Sequence, residues 1–303
     1  MSNLTTSQTL ADMVDDVQAY VRSFTKDQDV STHLAEPMDA STTTMKVAAG
    51  NLVSRGRIQV DDEVVYVDSI DREAGVATIA PYGRGMDGTD AVPHEAGAMV
   101  TTNPLYPRHV VAKTINQVIS GISKDLYSLK SFQVPAKAIG FNYELPEDTR
   151  HIVNVSYIAK PSAWKYPTYA KNWTFDQNAD PSVSSTGKCA FIYDVVSPLY
   201  LYTIVYGAYL QQLPSMDSKV TDSGIPDTAY DVLILGASAR LLSVATAGML
   251  QSQSVEASVL DGAVDIQGAQ AQSKYLYALF RERLLEEREL LTSQASERVK
   301  YQR

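Results

Sequence analysis

The sequence predicts an α+β fold: a helical scaffold with a β-rich inserted module, a second β-rich region and a long C-terminal helix. Three observations predict it. Apolar residues recur at helical spacing near both ends of the chain and at 107–126. Short β-prone runs recur between 45 and 101 and return between 138 and 213. Glycines and prolines punctuate the changes of period. At 303 residues, 45% apolar and 20% charged, the chain can bury a core of one or two domains without metal or disulfide support.

Taken in order, residues 9–24 put Leu10, Met13, Val14, Val17, Val21 and Phe24 on one helical face, with Thr9 and Asp12 as a capping start. The β-rich module follows, with runs at Met45-Lys46-Val47, 63–70 and 76–80 separated by Gly50, Gly56 and Gly75. After Asn103-Pro104 and Tyr106-Pro107, helical spacing returns at Val111, Ile115, Val118, Ile122 and Leu126, with Pro107 suited to a first turn. Alternation then marks strands at Ile139, Phe141 and Tyr143, and at Tyr200, Tyr202, Ile204 and Tyr206. The aromatic, Pro-, Asn- and Ser-rich tract 161–187 between them reads as a long ordered loop or hairpin excursion.

Pro226-Asp227 introduces a helix over 229–250, where Gly236, Ala237, Ala239 and Ala245 permit close helix approach and predict burial. The tract 264–302 predicts a helix with one face of Tyr277, Phe280, Leu284, Leu291 and Ala295, and an Arg283–Glu287 pair across one turn. Helical throughout, it would be roughly 50 to 60 Å long, longer than packing alone requires, so it is expected to project toward a partner. The expected segments are an N-terminal helix (1–30), the small β-rich module (31–103), a helical/β core (104–262) and the C-terminal helix (263–303).

Several function classes are disfavoured. Cys189, the single cysteine, sits among apolar residues and is expected in the core of a protein assembled in a reducing cytoplasm. The start is polar, and the most apolar stretch, 230–250, carries Asp231 and Arg240; neither an export signal nor a membrane span is expected. A net charge of -9 opposes general nucleic-acid binding, while leaving an acidic surface able to face passing DNA without gripping it.

Asp87, Asp90, His94 and Glu95 carry metal-ligand chemistry but match no metal spacing; no metal or cofactor is expected. His33, His94, His109 and His151 stand in unrelated settings, and no catalytic constellation is nominated. Gly83-x-Gly85-x-x-Gly88 satisfies a nucleotide fingerprint only formally, because Pro93 and a renewed β pattern follow where a helix should. Trp164, Tyr166, Tyr169 and Trp173 are read as a local core or subunit contact before a stacking surface.

The most informative stretch, residues 82–100, reads YGRGMDGTDAVPHEAGAMV, directly after IQVDDEVVYVDSIDREAGVATIAP. Gly83, Gly85 and Gly88 permit positive φ or close backbone approach, and Asp and Thr side chains can bond nearby amides. The run resembles the small β-modules of siphophage neck, tail and baseplate proteins through Arg84, Gly85, Gly88, Thr89, Ala91, His94, Gly97 and Val100. The surrounding order, with NPLYPRHVVAKTINQVISGISKDLYSL and later IPDTAYDVLILGASARLL, is similar to head-to-tail adaptor proteins of long-tailed bacteriophages.

That resemblance implies a structural neck protein, not an enzyme: a homo-oligomeric ring of about twelve copies beneath the portal. The implied partners are the portal protein, a downstream neck stopper or tail protein and, transiently and without sequence preference, passing DNA; the implied location is the head-tail neck of the virion. It further implies portal docking through the C-terminal helix, for which Phe280, Leu284, Arg288, Leu291, Arg298, Tyr301 and Arg303 are the candidates, with Gly83, Arg84, Gly85, Gly88, Thr89, His94 and Gly97 as a structural turn motif. Two alternatives stay open: a minor tail or baseplate protein, and a carbohydrate-active tail enzyme using two of Asp61, Asp62, Glu63 and Asp68.

Overall fold

A computed structural model describes residues 8–24, 29–138, 140–159, 167–194, 198–256 and 266–294. The fold is α+β, with three antiparallel sheets and a C-terminal helix. The chain divides into two compact units, each drawn from separated stretches: Met1–Leu10, Gln117–Leu233 and Ala278–Arg303 form one, and Ala11–Asn116 with Ile234–Tyr277 the other.

In the unit that contains the β-rich module, α1 (Leu10–Arg22) buries Met13, Val14, Val17 and Val21 completely, the stripe that the sequence predicts. Asp12 in its first turn and Arg22 in its last complement the helix dipole. Six strands follow: β1 (Val30–His33), β2 (Thr44–Lys46), β3 (Gly56–Val60), β4 (Glu63–Asp71), β5 (Val76–Ile79) and β6 (Met99–Thr102). They form an antiparallel sheet in the order β1-β6-β3-β4-β5-β2.

Its two outer strands meet. Leu34 bridges Val47, the Ala35 amide donates to the Lys46 carbonyl at 2.8 Å, and the Ala48 amide donates to the His33 carbonyl at 3.0 Å. The sheet therefore closes as a small barrel, which leaves no long open edge. Leu34, Met45, Ile58, Val60, Val65, Val67 and Val100 fill the interior. The β3–β4 turn is only Asp61-Asp62, and Asp61 takes φ 48, a left-handed conformation that Asp tolerates better than most side chains.

Helix α2 (Arg108–Ile122) starts directly after Pro107 and buries Val111, Ile115, Val118 and Ile122. The predicted spacing continues to Leu126, but the helix ends at Ile122; Leu126 is fully buried from the turn beyond it.

The other unit carries β7 (Ser128–Pro135), β8 (Asn142–Glu144), β9 (Thr149–Ala159), β10 (Thr168–Tyr169), β11 (Trp173–Asp176), β12 (Cys189–Ile192) and β13 (Tyr200–Ala208). Sheets β10-β9-β13-β7 and β11-β12-β8 share one core of Tyr143, Leu145, Val155, Ile192, Tyr202 and Ile204. The alternation of Tyr202, Ile204 and Tyr206 is inward, as predicted, and Cys189 is fully buried. The strand expected through Ile139 and Phe141 shortens to β8: Phe141 is exposed, and Ile139 lies outside the described residues. Within the tract read as an excursion, β11 pairs with β12 as one arm of a sheet, while 161–166 lie outside the described residues.

Helix α3 (Tyr230–Glu256) buries Val232, Leu233, Gly236, Ala237, Ala239, Leu241 and Leu242, the burial that its small residues predict; the side chain of Ala245 lies outside the described ones. Helix α4 (Ile266–Gln294) differs from expectation in phase. Its inward row is Leu276, Phe280, Leu284, Glu287 and Leu291, whereas Tyr277 is 54% exposed and Ala295 is outside the described residues. The polar residue in that row is held by Arg283, whose Nη2 lies 2.8 Å from Glu287, the predicted one-turn pair. No helix among the described residues is long and apolar enough to cross a membrane.

Gly207 on β13 shows how closely the second core is packed. A Cβ there would meet the His151 ring and lie 2.8 Å from Tyr127 Cδ2. Those two rings are already fixed edge to face with centroids 4.5 Å apart. Gly207→Ala is therefore expected to lower stability by about 1–3 kcal/mol through overpacking, read as a lower urea midpoint at unchanged slope; a wild-type midpoint would show that the rings yield freely.

Candidate functional site

The residues that carry the sequence motif converge at one end of the barrel on a buried carboxylate. Glu63 opens β4 with a side chain of 0% exposure. It belongs to the inward row with Val65 and Val67, so a charge enters the barrel wall where an apolar residue would otherwise sit. Arg84, after β5, meets it in a fork: Nε donates to Oε1 at 2.6 Å and Nη2 to Oε2 at 2.9 Å. The Gly85 and Val92 amides donate to the same carboxylate at 2.9 and 3.2 Å. His94 Nε2 lies 2.9 Å from Oε2.

The network extends from both partners. Arg84 Nη1 donates to the Asp39 carbonyl at 2.6 Å, and Nη2 donates to the Val92 carbonyl at 2.7 Å, tying the β1–β2 connection to the β5–β6 return. His94 is 2% exposed by side chain, pairs with Met38 through two main-chain bonds, and sets Nδ1 3.0 Å from Asp61 Oδ2. Burial alone would raise the pKa of Glu63, but the bonds from Arg84, His94, Gly85 and Val92 outweigh it and hold it down at about 2. Burial alone would lower that of His94, but its bonds to Glu63 and Asp61 prevail and raise it. The arrangement is a charge-satisfied clamp on the 84–97 segment.

The glycines serve the same end. Gly85, Gly88 and Gly97 have φ of 59, 85 and 93, and the Thr89 hydroxyl accepts from the Val64 amide at 3.0 Å while donating to the Met86 carbonyl at 2.8 Å. A Cβ on Gly83 would come within 2.8 Å of the Tyr66 carbonyl. Just before it, Tyr82 is held at φ 61 with 99% exposure, an unusual backbone state for an aromatic residue, presented on a rigid support.

The other candidates are dispersed. Both His94 nitrogens face carboxylates, Asp87 pairs with Arg57 at 3.2 Å, and Asp90 and Glu95 are exposed; no group of three or more His, Cys, Asp or Glu side chains is arranged to hold a metal ion among the described residues. Gly83-x-Gly85-x-x-Gly88 leads into the three-residue turn Met86–Gly88 and no helix. The four carboxylates weighed for glycoside chemistry each have a structural partner: Asp61 with His94, Asp62 with Arg108, Glu63 with Arg84 and Asp68 with Arg55. His33 is exposed on β1, and burial pushes the pKa of both His109 and His151 down. Tyr169 is exposed, Trp173 packs on the second core, and Trp164 and Tyr166 lie outside the described residues.

On α4, Phe280 and Leu284 are half-buried and Arg288 is exposed; Arg298, Tyr301 and Arg303 lie outside the described residues. Leu291 is buried at 5% and packs against its own chain, as a member of the apolar face should, which leaves it little surface for a partner. Sequence reasoning weighed Glu63 only as one of four carboxylates for glycoside cleavage. The signal for its real setting was its parity with Val65 and Val67, because an acid on an inward row demands a buried cation.

No protein-family model and no curated protein matches the chain.

Glu63→Gln would leave Arg84 buried with an unbalanced charge, and a loss of about 3–5 kcal/mol is expected by denaturant titration. The pH profile has two flanks. Glu63 has a folded pKa below its ordinary 4.5, so its contribution is full above 4.5 and is lost as pH falls toward about 2. His94 has a folded pKa above its ordinary 6.5, so its contribution is full below 6.5 and is lost as pH rises through the folded value. His94→Gln should abolish the alkaline flank while keeping the acid one; an unchanged alkaline flank would remove His94 from the account.

Proposed function

We propose that this chain is a structural head-to-tail adaptor of a long-tailed bacteriophage, forming a ring under the portal that links the capsid to the tail and lets DNA pass. The observation that carries the reading is the convergence of Arg84, Gly85, Thr89, His94 and Gly97 at one end of a closed barrel between α1 and α2. These are the residues on which the resemblance to siphophage modules rests, and they act together as one closing device. The ordered pair of sequences around α2 and the start of α3 supports the neck over other positions.

In this reading the barrel is a stiff decoration on a helical scaffold, neighbouring copies form the ring, and the acidic balance keeps the lumen from retaining DNA. Portal docking falls to exposed α4 residues such as Arg288 and to the chain beyond it. A structural role also accounts for the carboxylates: a glycosidase needs two of them facing one bond, and those near the barrel turn are committed to Arg84, His94, Arg108 and Arg55. The minor tail or baseplate reading keeps one observation in its favour, the exposed Tyr82 at the barrel tip.

Electron microscopy of particles made with this gene disabled separates the two. Full heads and complete tails that fail to join are expected; joined particles lacking only a distal tip would overturn the adaptor reading.

A further inference from the structure

The N-terminal end of α2 and strand β3 enclose a cleft of about 450 Å³ within one unit. Its accessible apolar walls are Val110, 38% exposed, with the half-buried Pro104 and Pro107, and its charges are Arg57 and Lys113 against Asp87. Arg57 is 63% exposed by side chain and meets Asp87 at 3.2 Å, which leaves part of its fork of donors open. Lys113 is exposed and has no ion pair among the described residues. His109 Nδ1, in the same wall, is buried with no hydrogen-bond partner among the described residues. The cleft is thus apolar and net positive on a chain whose acidic residues outnumber its basic ones by 35 to 26.

The geometry points to a docking site for a second copy of this chain, entered by the outer row of its α4: Glu282, Leu285 and Glu289. Leu285 is 50% exposed between the two glutamates, which are exposed and have no ion pair among the described residues. Spaced three and four residues apart, the three lie on one helical face about 10 Å long. An aliphatic side chain flanked by carboxylates complements an aliphatic cleft flanked by Lys113 and Arg57, and opposite charges fix the register of such a contact. Cleft and helix row are different surfaces, so the contact is heterologous and propagates head to tail, closing into a ring when the rotation allows. The inference rests on the ring reading in taking a second copy as the occupant.

Sedimentation velocity of the full chain at low ionic strength, over a concentration series, tests it. Wild type is expected to self-associate; Lys113→Glu and Glu282→Lys should each weaken association by about tenfold or more, and the double exchange should restore it. A wild type that stays monomeric to about 1 mM, single variants that associate normally, or a double variant no better than either single one would overturn the proposal. The two readings fail separately. Charge-dependent association in a protein dispensable for head-tail joining defeats the adaptor alone, whereas a protein required for joining but without that association defeats this contact alone.

Discussion

Removing a carboxylate from water costs several kcal/mol unless opposite charge and well-aimed donors replace its hydration. Glu63 receives all of that replacement from the segment it organises. Arg84, the Gly85 and Val92 amides and His94 all belong to the chain that returns from β5 to β6. That return buries few apolar side chains and holds several left-handed residues, so hydrophobic burial cannot fix its path. The ionic cluster fixes it instead, and Arg84 carries the order outward by bonding the carbonyls of Asp39 and Val92.

The cluster is therefore a structural device built from residue types that elsewhere do chemistry. A histidine between two carboxylates would suit proton transfer or metal binding if one nitrogen were open to a substrate or ion. Here both nitrogens are within hydrogen-bond range of carboxylates and the ring is buried. What the device delivers to the surface is geometry: a tip that can carry Tyr82 at positive φ because its neighbours are pinned. Closure of the sheet by Leu34 and Val47 serves the same stiffness from the other side.

Legibility in the sequence followed the strength of local pattern. Helices α1 and α2 were readable because one continuous apolar stripe leaves little choice of inward face, and β13 because its aromatic and branched residues alternate strictly. Strand β7 was not, since most of its side chains are exposed and its polar, mixed sequence lacks a buried row. On α4 the pattern was ambiguous: Leu276 and Tyr277 are adjacent and both apolar, and only packing decides which one turns inward.

By itself, the sequence determined the α+β class, the main helices, the position of the β-rich module and the motif that closes it, because these depend on periodicity and on backbone freedom encoded residue by residue. Tertiary structure alone decided that the module closes into a barrel, that Glu63 is the centre of its closing end, that Leu291 is spent on the chain's own packing, and which distant stretches form each compact unit. Those outcomes are contacts between residues far apart in the chain, whose free energies depend on burial and distance in three dimensions and leave no periodic trace along it.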